Sequence, residues 1–171
     1  MIWHYTYDES FVLIREDGFI KPAAAYLGPG EKGIAWFSKE EFWEPTVTKG
    51  LVLKDGTVMD LGMLGLREHG HLLIRIGVDP ETAPYTWSEL KSLSGMPAGI
   101  ATALASTAKM KGANPSRWRG TFEAVYADKW KSVEYFNSVE WAPLPLTASG
   151  LLRPESQQGA EESLPVCEVE M

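Results

Sequence analysis

The chain has 171 residues, 44% of them hydrophobic and 23% charged, the proportions of one globular domain with enough length to bury a core. No apolar run approaches the roughly 20 residues a membrane helix needs, and a net charge of −7 with no basic stripe argues against binding nucleic acid through its phosphates. The single cysteine, Cys167, excludes an intrachain disulfide, and the opening "MIWHYTYDES" lacks the basic and apolar regions of a secretion signal, so the expectation is a cytoplasmic protein.

"MIWHYTY" alternates Trp3, Tyr5 and Tyr7 with Ile2, His4 and Thr6, a strand pattern. "DESFVLIREDG" predicts a helix that Asp8 or Ser10 can cap, with Phe11, Val12 and Ile14 on its apolar face and Gly18 at its end. "FIKP" is a short extended piece, and "AAAYLGPGEKG" a loop broken by Gly28, Pro29, Gly30 and Gly33. "IAWFS" (34–38) reads as a buried strand, followed by one helical turn around "KEEFWEP". "LVLKDGTVMDL" reads as a hairpin turning at Asp55-Gly56. "HLLIRIGVD" (71–79) is the clearest strand, with Arg75 expected to point outward; helices are predicted at 86–94 and 97–111. "TFEAVYA" and "WKSVEYF" are strands, and "SVEWAPL" closes a terminal hairpin. The domain thus spans residues 1–146, and residues 147–171, with five glutamates against one arginine, have the composition of an acidic disordered tail. Strands segregated from a few helices make an α+β fold.

The last hairpin isolates one carboxylate. If it turns at Asn137-Ser138, Trp130, Ser132, Glu134, Phe136, Val139 and Trp141 share a face, while Glu140 lies opposite with Lys131, Val133 and Tyr135, within reach of an ion pair with Lys131. A lone glutamate among aromatic rings either lines a cleft or sits wet at a sheet edge, because burying it unpartnered costs several kcal/mol. His69 and His71 share a strand face but lack further ligands for zinc, and "GPGEKG" lacks the ending of a phosphate loop.

In order and spacing, "WHYT", "DGFIKP", "GIAWFS" and "SVEYF" resemble the diphtheria-toxin-like, His-Tyr-Glu class of ADP-ribosyltransferases. The resemblance covers residues 2–43 and 130–137. It implies a split, curved pair of antiparallel β-sheets with a few short helices, gripping NAD as substrate in the cleft between them, without a metal. It implies that His4 holds a ribose hydroxyl, that the backbone of Tyr5 reads the nicotinamide carboxamide beside Thr6, and that Phe37 stacks on the nicotinamide with Trp36 and Ser38 around it. The family's second tyrosine falls at Thr48 here, so Trp43 takes its part. Glu134 becomes the catalytic carboxylate, bonded to a ribose hydroxyl and stabilising the cationic sugar as nicotinamide leaves. The "GPGEKG" loop becomes a lid. By analogy, the chain is a toxin, effector, phage or mobile-element protein with a protein acceptor rather than a nucleic acid. The alternative is a non-catalytic binding module on the same fold.

Overall fold

A computed structural model describes residues 1–23, 27–144, 146–147 and 150–151 of the chain. It is a mixed α+β protein with antiparallel pairing throughout its sheets. The first strand, β1 (Ile2–Tyr7), runs straight into helix α1 (Asp8–Asp17), so Tyr7 takes the capping position and neither Asp8 nor Ser10 caps. Asp8 turns instead to His71, its Oδ1 lying 3.0 Å from Nδ1. Gly18 ends the helix with φ of 76° and donates to Ile14 O, a left-handed cap that favours glycine.

Short strand β2 (Phe19–Ile20) leads through the glycine-rich loop to β3 (Ala35–Ser38). Gly33 is required where this loop closes, since a Cβ there would stand 2.4 Å from Ala23 O. The expected helical turn around "KEEFWEP" is absent: residues 39–48 form a loop with bends, because Pro45 and two large aromatics leave too short a run for a helix. Strands β4 (Lys49–Val52) and β5 (Val58–Leu61) make the predicted hairpin, with Gly56 at φ 83°. Helix α2 (Met63–Glu68) precedes β6 (Leu73–Val78), all six of whose residues are buried. Strand β7 (Tyr85–Thr86) delivers Thr86 as the capping box of α3 (Trp87–Leu93) with Glu89. Helix α4 (Ala98–Met110), β8 (Trp118–Thr121), β9 (Val125–Tyr126), β10 (Trp130–Phe136) and β11 (Trp141–Pro143) complete the body of the fold. The tail expected from Thr147 lies outside the described residues apart from Thr147, Gly150 and Leu151, where β12 (Leu146–Thr147) pairs with β13 (Gly150–Leu151).

The main sheet has the order β11-β10-β6-β1-β3-β8-β7. Its register sets which side chains can meet. Tyr5, Arg75 and Glu134 lie opposite one another across three strands and share one face, whereas His4, Ile76 and Val133 share the other. The face of His4 packs on α1 through a core that includes Phe11, Phe37, Ile74 and Ile76. The opposite face packs Tyr5, Leu73 and Phe136 against Trp43, Leu61 and Leu66. A third core joins Leu90 of α3 and Ala108 of α4 to Trp118.

Three expectations about the terminal hairpin change here. The turn holds four residues, 137–140, so Phe136 faces Trp141 and Glu134 faces Pro143; Val139 is in the turn, 84% exposed. Asn137 Oδ1 accepts from the backbone of Val139 and Glu140, which makes the longer turn stable. A β-bulge between Trp130 and Ser132 moves Trp130 onto the face of His4, away from Glu134, and Lys131 pairs with Asp79 at 3.2 Å rather than with Glu140. Arg75 is the larger correction. It points inward, 9% exposed, because Glu134 beside it neutralises the charge and two indoles cover its faces.

Candidate functional site

Strands β1 and β3 share a single registered pair, Trp3 with Ser38, whereas β1 pairs with β6 over six residues. Past that pair the two strands part, and a cavity of about 710 Å³ opens there beneath α4. His4, Tyr5, Trp36, Phe37 and Ser38 all line it. Five of the eight expected site residues therefore converge, from strands whose sequences place them at the same end of the sheet.

Helix α4 contributes Ile100, Ala103, Leu104, Thr107 and Ala108, a stripe at helical spacing that Lys111 continues at the helix's C-cap. Leu27, Glu31 and Lys32 of the glycine-rich loop line the cavity as well, where a lid would stand, and Lys32 N donates to Ser94 O at 2.8 Å. The size and the apolar walls are those of a small-molecule site, for which about 300–1,000 Å³ is usual.

His4 has a defined orientation. Its Nδ1 lies 2.8 Å from Trp36 O, so Nδ1 carries the proton and donates across the gap between the strands. Burial lowers its pKa from the ordinary histidine value, more than the Trp36 hydrogen bond raises it. The ring is thus neutral near pH 7, and Nε2, which no hydrogen bond among the described residues engages, is an acceptor. A hydroxyl donor is the partner such a nitrogen takes.

Glu44 was not anticipated. It is 5% exposed and lines the cavity. Its Oε2 accepts from Ser38 Oγ at 2.7 Å, and its Oε1 from Thr46 Oγ1 at 2.9 Å. The only hint in the sequence was an acid between Trp43 and Pro45, too common a context to single it out.

The remaining three expected residues lie elsewhere. Thr6 is 4% exposed, opposite Ile74 in the sheet, and does not line the cavity. Trp43 is buried, stacked on Trp141 with centroids 6.4 Å apart and edge-on to Tyr5 at 5.3 Å. Its Nε1 has no hydrogen-bond partner among the described residues. Glu134 is on the face opposite His4 and does not line the cavity; its Oε2 accepts from Arg75 Nε at 2.8 Å and its Oε1 from Ser132 Oγ at 2.7 Å.

What Glu134 does hold is Arg75, and through it the loop bearing Glu44. Three successive loop carbonyls each accept from a different strand: Glu40 O from the Tyr5 hydroxyl, Glu41 O from Arg75 Nη1, and Phe42 O from Trp141 Nε1 at 2.9 Å. The guanidinium is sandwiched between Trp3 and Trp141, 3.8 and 4.5 Å from their centroids. Desolvation pushes the Tyr5 hydroxyl up to about 12, so it stays a donor. Among the described residues no helix is long and apolar enough to cross a membrane. Comparison with known protein families, with characterised proteins and with solved structures found no match.

Proposed function

We propose that the protein is an NAD-consuming ADP-ribosyltransferase whose NAD site is the cavity between β1 and β3, with a protein as acceptor. The observation that carries this reading is His4: a neutral imidazole, oriented by Trp36 O, whose Nε2 is left to accept a hydrogen bond in an apolar cavity. A ribose hydroxyl supplies that bond, which is the role the resemblance gives this histidine. The parting of β1 from β3 supports the cleft that the same resemblance implies.

The chemistry needs little from the protein beyond placement. The glycosidic bond breaks with its electron pair passing to the pyridinium nitrogen, so neutral nicotinamide leaves and positive charge spreads over the ribose. The acceptor's nucleophilic atom then bonds to that carbon and releases its proton. His4 fixes the ribose, and the apolar walls limit the water that would otherwise intercept the sugar.

A second reading, a binding module without catalysis, has its own support. Glu134 has both oxygens engaged on the face away from His4, leaving no family carboxylate at the sugar. Nicotinamide release from NAD, measured beside calorimetric titration with NAD, separates the readings. Release by the wild type that falls about a hundredfold in His4→Ala supports the transferase. Binding without release, with or without a candidate acceptor extract, favours the module, and neither binding nor release removes NAD from the proposal. Loss of release in Glu134→Gln at an unchanged melting temperature would return the catalytic part to Glu134.

A further inference from the structure

Buried carboxylates in folded proteins keep company with a cation, because the charge loses its hydration and must recover it. Glu134 meets this rule with Arg75. Glu44 does not. It is more buried than Glu134, yet its two oxygens take hydroxyl donors, Ser38 and Thr46, with a longer 3.4 Å approach from Thr46 N. No lysine, arginine or histidine pairs with it among the described residues. The two lysines that share the cavity are committed elsewhere: Lys111 to Asp60 at 2.6 Å and Thr48 at 3.3 Å, and Lys32 over the Phe122 ring at 5.5 Å.

The walls around this carboxylate are apolar and aromatic. Trp36, Phe37 and Trp118 line the same cavity, with Trp36 and Trp118 meeting edge-on at 5.7 Å. Ile100 and Leu104, 53% and 40% exposed, line it from α4. An anionic group with no counter-charge, among indole faces, in a space of about 710 Å³, specifies its ligand's chemistry: positive, flat and organic.

We infer that the cavity is a binding site for a flat organic cation of the pyridinium type, with Glu44 as its counter-charge. Ser38 and Thr46 hold the carboxylate toward the ligand, and the indoles cover the ring. As an account of where the nicotinamide ring of NAD lies, the inference rests on the NAD reading, but the cation site can be tested without it.

The probe is 1-methylnicotinamide, a pyridinium cation with no ribose, set against neutral nicotinamide of nearly the same shape, each titrated by tryptophan fluorescence and calorimetry. The wild type is expected to bind the cation about tenfold or more tightly than the neutral ring. Glu44→Gln is expected to erase that preference while leaving the neutral ring's affinity as it was, and Glu44→Asp to keep part of it. Because the first comparison uses the wild type alone, it survives any variant that fails to fold. Equal affinity for both probes, or a preference that persists in Glu44→Gln, overturns the inference. A wild type that prefers the cation but neither binds nor cleaves NAD upholds the cation site and removes the NAD reading. One that cleaves NAD without preferring the cation removes the cation site alone.

Discussion

Arg75 stands in the middle of a strand whose other members are Leu73, Ile74, Ile76, Gly77 and Val78, all buried. A guanidinium there loses water, and only a near-complete replacement makes the position tolerable. It has one: the Glu134 carboxylate, the Glu41 carbonyl and two indole faces. The pair is therefore sensitive to losing one member and less so to losing both. Arg75→Met, which strands Glu134 at a side-chain exposure of 18%, is expected to cost about 3 kcal/mol in urea denaturation. Adding Glu134→Gln to it should recover part of that loss, since the stranded charge is gone. A double variant less stable than Arg75→Met alone would mean that Glu134 has a structural role independent of the arginine. The same pair shows where sequence pattern reaches its limit. Alternation placed Glu134 on a face with Ser132 and Phe136, as observed, but a single charge in an apolar strand reads as outward until its partner, 59 residues further along the chain on β10, is known.

At the scale of elements, the loop of residues 39–48 stands where one helical turn was expected. It carries Trp43 into the core and Glu44 into the cavity, and it has no helix or strand pairing of its own, so the three strands that hold its carbonyls are a large part of what shapes it. Local periodicity cannot reveal such a segment, because much of the information that shapes it lies in distant residues such as Tyr5, Arg75, Arg117 and Trp141. Elements that carry their own signal were legible: the helices expected at 86–94 and 97–111, observed as α3 and α4, and the β4–β5 hairpin from Asp55-Gly56. Trp141→Phe tests the clamp most gently, keeping an aromatic ring while removing the donor to Phe42 O. It is expected to cost about 1 kcal/mol, with faster amide exchange confined to residues 39–44. Acceleration spread evenly over the molecule would assign Trp141 to general packing instead.

The molecule as a whole is a sheet with one weak seam. On one side β11, β10, β6 and β1 are joined by multiple registered pairs; on the other, β3 and β8 share four. Between the halves stand one pair, Trp3 with Ser38, and the side-chain bond from His4 to Trp36 O. Burial still surrounds the seam, with Ile2, Phe37 and Ser38 each at 3% exposure or less, so the halves stay together through packing more than through the ladder. Backbone groups freed where strands part must find other partners, and a bound ligand can supply them. Hydrogen exchange of the free protein should therefore show the β1–β3 junction opening more readily than the β1–β6 ladder. Ligand at a hundredfold excess over its Kd stabilises a folded protein by about 2.7 kcal/mol, so saturating NAD should slow exchange at residues 3–6 and 35–38 by a large factor. If NAD instead protects β10 and the loop over Arg75 while the junction exchanges unchanged, the ligand sits on the face of Glu134, and the cavity beneath α4 is not where it binds.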